Sequence, residues 1–210
     1  MSKGWSFLEK LPAKERKSSL LTGGSAAFLY GSDRPFSDDI DFMVSEANMC
    51  NISRRFDICF SFYRKKPVFH SLKAPLNIKK NSYDIIVQSI IQPLGRREEY
   101  LVHLTGEIIR KKVRFSYRGK TIYLIPKELL VLIKLLAGRG KELKKYDLYD
   151  VEKILSKNKD FNFTFFKKLI KEFCKPLELS VPLLLKNARN IPAKKNKNLK
   201  LLVQDLEKLL

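Results

Sequence analysis

SSLLTGGSAAFLYGSDRPFSDDIDFMV, residues 18–44, is the stretch of the chain that most constrains the fold. Residues 18–22 predict a short strand, which Gly23-Gly24 ends, and the small apolar residues 25–30 are typical of a helix start. Residues 39–44 begin by alternating polar and apolar side chains, which predicts a strand with one buried and one open face. The two aspartates of that strand then lie on the same face.

Each half of this stretch suits one part of a phosphate-transfer site. The turn of Gly23, Gly24 and Ser25 offers backbone N–H groups and a hydroxyl to phosphate oxygens. Asp39 and Asp41 are close enough on one strand face to share Mg²⁺, which binds carboxylates together with substrate phosphates.

Each element alone has an ordinary structural explanation. Glycines before a helix usually form only a turn and an N-cap, and an Asp-x-Asp strand is often just a solvated face. Here both occur together, thirteen residues apart, with Arg34 and Ser37 between them. The combination favours a functional site.

The charge of the chain is uneven. The net charge is +20, yet residues 1–50 contain 6 basic and 7 acidic side chains. The remaining residues are strongly basic and include the cluster Arg110, Lys111, Lys112 and Arg114. A basic surface of this kind favours a polyanionic partner such as RNA, although a lysine-rich genome composition would give the same count.

Cysteine usage and hydropathy bear on the cellular location. The 3 cysteines form no C-x-x-C motif, which argues against a disulfide framework and indicates reduced, intracellular thiols. The longest apolar stretch, 129–137, is too short to span a membrane. We therefore expect a cytoplasmic protein without a membrane segment.

The remaining patterns predict an α+β fold with a mixed β-sheet flanked by helices, followed by a helical lobe. Further strands are expected at 56–63, 83–91, 113–117 and 121–125. Helices are expected at 128–137, 147–156, 163–174, 181–186 and 199–210. The expected domains are residues 1–125 and 126–210.

Gly-Gly-Ser followed by Arg34-x-x-Ser37-x-Asp39-Ile-Asp41-Phe resembles the signature of the DNA polymerase β-type nucleotidyltransferase superfamily. Within it, the chain is most similar to the nucleotidyltransferase toxins of type IV abortive-infection toxin–antitoxin systems. Those proteins also carry a lysine in an apolar helix ahead of an Asp-Leu-Tyr-Asp helix, which here corresponds to Lys134 and residues 147–150.

The resemblance implies roles for particular residues. Gly23, Gly24, Ser25, Arg34, Ser37 and Lys134 would bind the nucleotide. Asp39 and Asp41 would hold Mg²⁺, with two ions expected, and Lys134 and Asp147 would complete the active site.

The superfamily usually has a third carboxylate on a neighbouring strand, as a metal ligand or as the acceptor of the attacking proton. Asp84 is our candidate for this catalytic and metal-binding role, because an unpaired charge within its apolar strand pattern would be costly. Asp57 has nearly the same sequence context and stays an alternative.

Structural explanations also remain for the helical motifs. Lys134 could extend from a buried helix to solvent. Asp147 and Asp150 could be acids favoured by the dipole of a first helical turn, which fits Asp150 best. The aromatic residues between Phe161 and Phe166 are expected in the core rather than in a base-stacking surface.

The sequence therefore predicts Mg²⁺-dependent transfer of a nucleoside monophosphate from an NTP, such as ATP, to a hydroxyl. RNA, specifically a tRNA 3′ end, is the expected acceptor, and a toxin role with an antitoxin partner is implied by the resemblance. Two alternatives stay open. The acceptor could instead be a protein or a small molecule, or the chain could be an inactive module that only binds nucleotide or RNA.

Overall fold

The computed structural model describes residues 6–34, 39–65, 68–78, 81–117, 119–140, 145–192 and 196–210, which form ten helices and eight strands. The strands are β1 (Ser19–Leu21), β2 (Asp39–Val44), β3 (Ser61–Lys65), β4 (Phe69–Ile78), β5 (Asn81–Ile91), β6 (Tyr100–His103), β7 (Val113–Tyr117) and β8 (Lys120–Leu124). The helices are α1 (Ser6–Glu9), α2 (Ala13–Arg16), α3 (Gly23–Leu29), α4 (Glu46–Phe56), α5 (Gly106–Arg110), α6 (Lys127–Ala137), α7 (Asp147–Lys157), α8 (Phe163–Phe173), α9 (Leu177–Arg189) and α10 (Lys197–Glu207).

The described strands form one mixed sheet in the order β3-β4-β5-β2-β1-β8-β7. The pairs β2–β5 and β1–β8 are parallel, and the other pairs are antiparallel. Strand β5 is the longest, and β4 pairs along one of its edges. Its other edge pairs first with β2, through residues 82–86, and then with β6, through residues 88–91. Strand β5 therefore connects β2 with β4 and β6.

The pairing of β4 with β5 contains a β-bulge. Leu72 pairs with Gln88 but the next residue, Lys73, pairs with Ile86, so Val87 is an extra residue in β5. A bulge shifts the alternation of side chains between the two faces of a strand. The residues of β5 before and after Val87 therefore follow opposite alternation.

Two apolar layers cover the sheet and form one contiguous core. On one side, the buried ring of Phe7 packs against Phe42, Phe56 and Tyr83 at centroid distances of 5.2, 5.2 and 5.9 Å. In the helical part, every residue of α6 is buried, because α7, α8 and α9 surround it. Burial of each large aliphatic side chain contributes about 1.5–3 kcal/mol. The fold class is as predicted, and the division at residue 126 stays a prediction.

The hairpin of β7 and β8 and the five C-terminal helices are confirmed, with ends that differ by up to four residues. The strand predicted at 56–63 is wrong, because residues 46–56 form α4 and β3 begins only at Ser61. Strands β4 and β6 and helix α5 were not predicted. Pro75 lies within β4, and proline argues against a strand inside a sheet because it lacks an N–H donor.

Candidate active site

A cavity of about 310 Å³ lies between the sheet and the first residues of the helical part. Strands β2, β4 and β5 provide one wall, and α6 with the start of α7 provides the opposite wall. Its charged lining residues are Asp39, Asp41, Asp84, Asp147, Arg34, Lys73, Lys134, Arg139 and Lys145. The cavity thus brings together sequence-predicted residues that are more than a hundred positions apart.

Three of the lining carboxylates lie on adjoining strands. Asp41 of β2 is in register with Asp84 of the parallel strand β5, and Asp39 lies two residues earlier on the same face as Asp41. Neighbouring strands are about 4.8 Å apart, so side chains at paired positions are close. All three carboxylates line the cavity, so the structure brings Asp84 together with the Asp-x-Asp pair.

The alternative third carboxylate, Asp57, lies elsewhere. It is the C-cap of α4, with φ 52° and ψ 52°, and it is exposed outside the cavity. A left-handed residue commonly ends a helix, and aspartate tolerates this conformation better than most residues. The short alternation of apolar and polar residues at 56–60 is typical of a strand, but here the chain is leaving helix α4.

Lys73 is a charged residue of this cavity that the sequence analysis missed. It lies on β4, and its ammonium group donates a hydrogen bond to Asp84 Oδ2. The same ammonium lies 5.3 Å from the ring centroid of Tyr63, on β3. No local pattern could have found it, because the contact depends on the pairing of β4 with β5.

The glycine turn is shaped by close approach of charged side chains. Gly23 has φ +64°, and a Cβ there would lie 2.1 Å from Asp41 Oδ2. A Cβ on Gly24 would lie 2.6 Å from Arg34 Nη2. Only glycine allows both approaches, since any other side chain would displace a carboxylate or a guanidinium.

Ser25 and Ser37 are less well supported as nucleotide-binding residues. The side chain of Ser25 is buried, its Oγ has no hydrogen-bond partner among the described residues, and it does not line the cavity. Gly23 and Gly24 therefore line the cavity, whereas Ser25 does not. Ser37 lies outside the described residues.

Lys134 does not extend to solvent; it is only 4% exposed. Its Nζ donates to Asp147 Oδ1 at 3.2 Å and to Asp150 Oδ2 at 2.7 Å. The buried ammonium is therefore compensated by two carboxylates of α7, which explains how α6 tolerates a charge among apolar neighbours.

Asp150 is the centre of this buried network, a role that its place in the first turn of α7 did not reveal. Its carboxylate also accepts hydrogen bonds from Ser32 Oγ at 2.6 Å and from Arg34 Nη1 at 3.0 Å. These contacts tie the loop after α3 to the helical part. Through them, Asp150 holds the guanidinium of Arg34 beside Gly24.

Asp147 lies at the edge of the same network and faces the cavity. Arg139 Nε donates to Asp147 Oδ2 at 2.6 Å, in addition to the bond from Lys134. Burial by itself would raise the pKa of Asp147, but the charges and hydrogen bonds of Lys134 and Arg139 outweigh it and lower the pKa below its usual value. Asp147 is thus held as a carboxylate.

Aromatic rings occupy two different environments. Phe161, Phe165 and Phe166 are buried in the core, as predicted. In the cavity, Arg34 lies 5.2 Å from the ring centroid of Tyr146, and Arg139 lies 4.7 Å from that of Phe69. Cation–π contacts of this kind orient a cation without neutralising it.

The basic cluster of residues 110–114 does not line the cavity. It lies at the end of α5 and the start of β7, and β7 is separated from β2 by β1 and β8. Three strand spacings of about 4.8 Å each therefore separate this edge from the strand of Asp39 and Asp41. A partner that touches both would have to be a large molecule.

The donor set of the sheet wall fits Mg²⁺, which prefers carboxylate oxygens. At Gly23, a Cβ would overlap Asp41 Oδ2, so the glycine lets this donor oxygen approach the turn closely. Within the described ranges, no group of three or more His, Cys, Asp or Glu side chains is arranged to hold a metal ion.

None of the described helices is both long and apolar enough to cross a bilayer.

No protein-family model matches the sequence, and none of the curated proteins matches it. Solved structures with a similar arrangement include a protein of Thermotoga maritima that is provisionally assigned as a nucleotidyltransferase. It is 18% identical, with a TM-score of 0.47, over 66% of this chain and 84% of that protein. A Helicobacter pylori protein with the same provisional assignment is 16% identical, with a TM-score of 0.38, over 100% and 95% of the two chains.

A third structure is that of the lincosamide antibiotic adenylyltransferase bound to lincomycin. It is 18% identical, with a TM-score of 0.38, over 67% of this chain and 87% of that enzyme. At these identities and TM-scores, the likeness carries no substrate, partner or activity over to this chain.

Proposed function

We propose that this chain is a Mg²⁺-dependent nucleotidyltransferase, which transfers a nucleoside monophosphate from an NTP to a hydroxyl group. One observation carries the proposal: Asp39, Asp41 and Asp84 lie on two adjoining strands and line the same cavity as the glycine turn and five cationic side chains. Carboxylates for a divalent ion and cations for a polyphosphate are the two requirements of this reaction.

In the proposed reaction, an oxygen of the acceptor hydroxyl forms a bond to the α-phosphorus of the NTP. The bond between this phosphorus and the oxygen that bridges to the β-phosphate breaks, and pyrophosphate leaves. Asp84 is the candidate group to accept the proton of the hydroxyl, because its side chain is partly exposed in the cavity beside Asp41.

The ion would be held by Asp39 and Asp41. When bound, Mg²⁺ would neutralise phosphate charge and help to align the attacking and leaving oxygens. Gly23 has no side chain that would displace Asp41 Oδ2. Asp39 and Asp41 thus form a carboxylate pair, and the β2–β5 register fixes its position relative to Asp84.

The cationic residues would bind the triphosphate. Arg34 lies over the glycine turn, and Arg139 and Lys145 line the opposite wall. We assign Lys134 to positioning, since its ammonium already donates to Asp147 and Asp150. Those aspartates in turn hold Arg139 and Arg34 by hydrogen bonds.

RNA, and specifically a tRNA 3′ end, is the proposed acceptor. The net charge of +20 supports it, because a polyanionic acceptor would be drawn to a basic protein. The resemblance of the sequence motifs to toxin nucleotidyltransferases supports a toxin role that an antitoxin partner would restrain. A protein hydroxyl is the competing acceptor.

The test is transfer of label from each α-labelled NTP, with Mg²⁺ and total RNA, by the wild type and by the variant D39N/D41N. We expect label in RNA with the wild type only. Label on protein would move the acceptor to a polypeptide. Equal labelling by both proteins would refute the assigned metal-binding pair, and no labelling with any NTP would favour a module that only binds nucleotide or RNA.

The toxin role needs a separate test. Induced expression of the wild type in a bacterial host should arrest growth, whereas D39N/D41N expressed to the same level should not. Unimpaired growth with an active enzyme would leave the transfer reaction standing and remove the toxin role.

A further inference from the structure

Lys73 completes a row of charged side chains across three neighbouring strands. Asp41 lies on β2, Asp84 lies next to it on β5, and Lys73 approaches Asp84 from β4 on the far side. All three line the cavity. The negative charge of Asp84 is therefore compensated from within the chain.

The ammonium of Lys73 is held in place. The side chain of Lys73 is 14% exposed, and its Nζ lies 5.3 Å from the ring centroid of Tyr63. Strand β4 is flanked by paired strands on both sides, and Lys73 lies beside the bulge of β5. A flexible lysine on a surface loop would have no such constraints.

This contact changes what the carboxylate of Asp84 can bind. A second divalent ion shared by Asp41 and Asp84 would lie close to an ammonium that already donates to Asp84 Oδ2. A divalent ion and an ammonium group that share one carboxylate repel each other strongly, since the protein interior screens charges poorly. Asp39 and Asp41 lie on the other side of Asp84 and are not affected in the same way.

We infer that Lys73 takes the place of a second metal ion, so that the site binds one divalent ion, through Asp39 and Asp41, rather than two. The inference rests on the proposed function, because it assumes the metal-binding pair. Lys73 supplies a fixed positive charge beside Asp84, where the acceptor hydroxyl would be deprotonated. Its position in the fold makes this charge independent of metal concentration.

The test is a count of Mn²⁺ ions bound in solution, measured by the loss of the free Mn²⁺ signal in electron paramagnetic resonance. We expect one ion for the wild type and two for Lys73→Met. Lys145→Met is the matched control, because Lys145 lines the same cavity but forms no ion pair with Asp84 among the described contacts. The control should bind one ion.

Two further variants separate the possible results. Asp84→Asn should still bind one ion, and the double variant K73M/D84N should lose the second ion of Lys73→Met. Two ions on the wild type, one ion on a folded Lys73→Met, or loss of the single ion in Asp84→Asn would each overturn the inference. Should Lys73→Met not fold, the wild-type count and Asp84→Asn decide.

No ion on the wild type would instead refute the metal-binding pair, and with it the proposed function. Failure of the inference and failure of the proposed function thus give different counts.

Discussion

The two charged walls of the cavity differ in burial. On the helical wall, Lys134, Asp147 and Asp150 are almost completely buried and bind one another, with Asp150 0% exposed. On the sheet wall, Asp39 is exposed and Asp41 and Asp84 are partly exposed. The charges of the helical wall are therefore buried together with their partners, whereas the sheet wall, where Lys73 pairs with Asp84, leaves its carboxylates partly in contact with solvent.

The difference teaches that charge in one cavity can serve two purposes. Buried, mutually bonded charges fix the position of α7 relative to α6 and hold Arg34 and Arg139. Accessible carboxylates can bind an ion from solution. Substitutions on the two walls should therefore separate loss of activity from loss of stability.

The largest effect is expected at the sheet wall. D39N/D41N should lower nucleotide transfer by at least about 10³-fold, since metal binding contributes several kcal/mol to such reactions. Its urea-unfolding free energy should stay within about 1 kcal/mol of the wild type, as expected at accessible positions. A large loss of stability would mean that this wall is structural and would break the comparison.

Asp150→Asn should show the reverse at the helical wall. Loss of this charge leaves the buried Lys134 and Arg34 incompletely compensated, and breaking a buried ion pair costs about 3–5 kcal/mol. Urea unfolding measures the effect.

Asp160→Asn is the matched control for Asp150→Asn. Asp160 also pairs with a lysine of α6, Lys127, at 2.5 Å, but its side chain is 80% exposed. Exposed pairs contribute about 0–1 kcal/mol. Equal losses in both variants would contradict the assignment of the helical wall to stability.

Gly23→Ala probes the boundary between the walls. Its positive φ costs about 1–2 kcal/mol for a non-glycine residue, and the added Cβ would displace Asp41. Gly95→Ala is the control, because Gly95 has φ +70° but a Cβ added there would meet no atom within 4 Å. Both variants should lose similar stability by urea unfolding, and only Gly23→Ala should lose Mn²⁺ binding. Retained Mn²⁺ binding in Gly23→Ala would count against Asp41 as a ligand.

The smallest effect concerns pH. Because the pKa of Asp147 is lowered in the folded protein, its contribution to stability is present above the unfolded-state pKa of about 3.9 and is lost as the pH falls through the folded value. Asp147→Asn should therefore flatten the acid limb of the unfolding free energy, measured by urea titrations between about pH 5 and pH 2.5. An identical acid limb in both proteins would show that Asp147 is not held as a carboxylate.

Local patterns predicted the parts of the site that are local in sequence. The alternation at residues 39–44 gives β2 and places both of its aspartates on one face, and the two glycines mark the turn that meets them. The strand of Asp84 was likewise predicted, from its apolar pattern. These features need only a few neighbouring residues to be recognised.

Features that depend on distant pairing were not predicted. Lys73 reaches Asp84 only because β4 pairs with β5, and Pro75 made β4 hard to recognise as a strand. Asp150 bonds with Ser32 and Arg34, which lie more than a hundred residues away, so its sequence context showed only a first-turn acid. The strand predicted around Asp57 was wrong for the opposite reason. A short local pattern suggested a strand, but α4 ends at this position.

The extra residue at Val87 lets a single strand supply one cavity with residues of both even and odd number. Asp84 and Ile86 line the cavity ahead of the bulge, and Ser89 lines it afterwards, within 3.2 Å of Ser71 Oγ. A regular strand of the same length would place Gln88 on the cavity face and turn Ser89 toward the opposite face. The bulge is thus part of the chemistry of the cavity, because it places a hydroxyl rather than the amide of Gln88 beside Ser71.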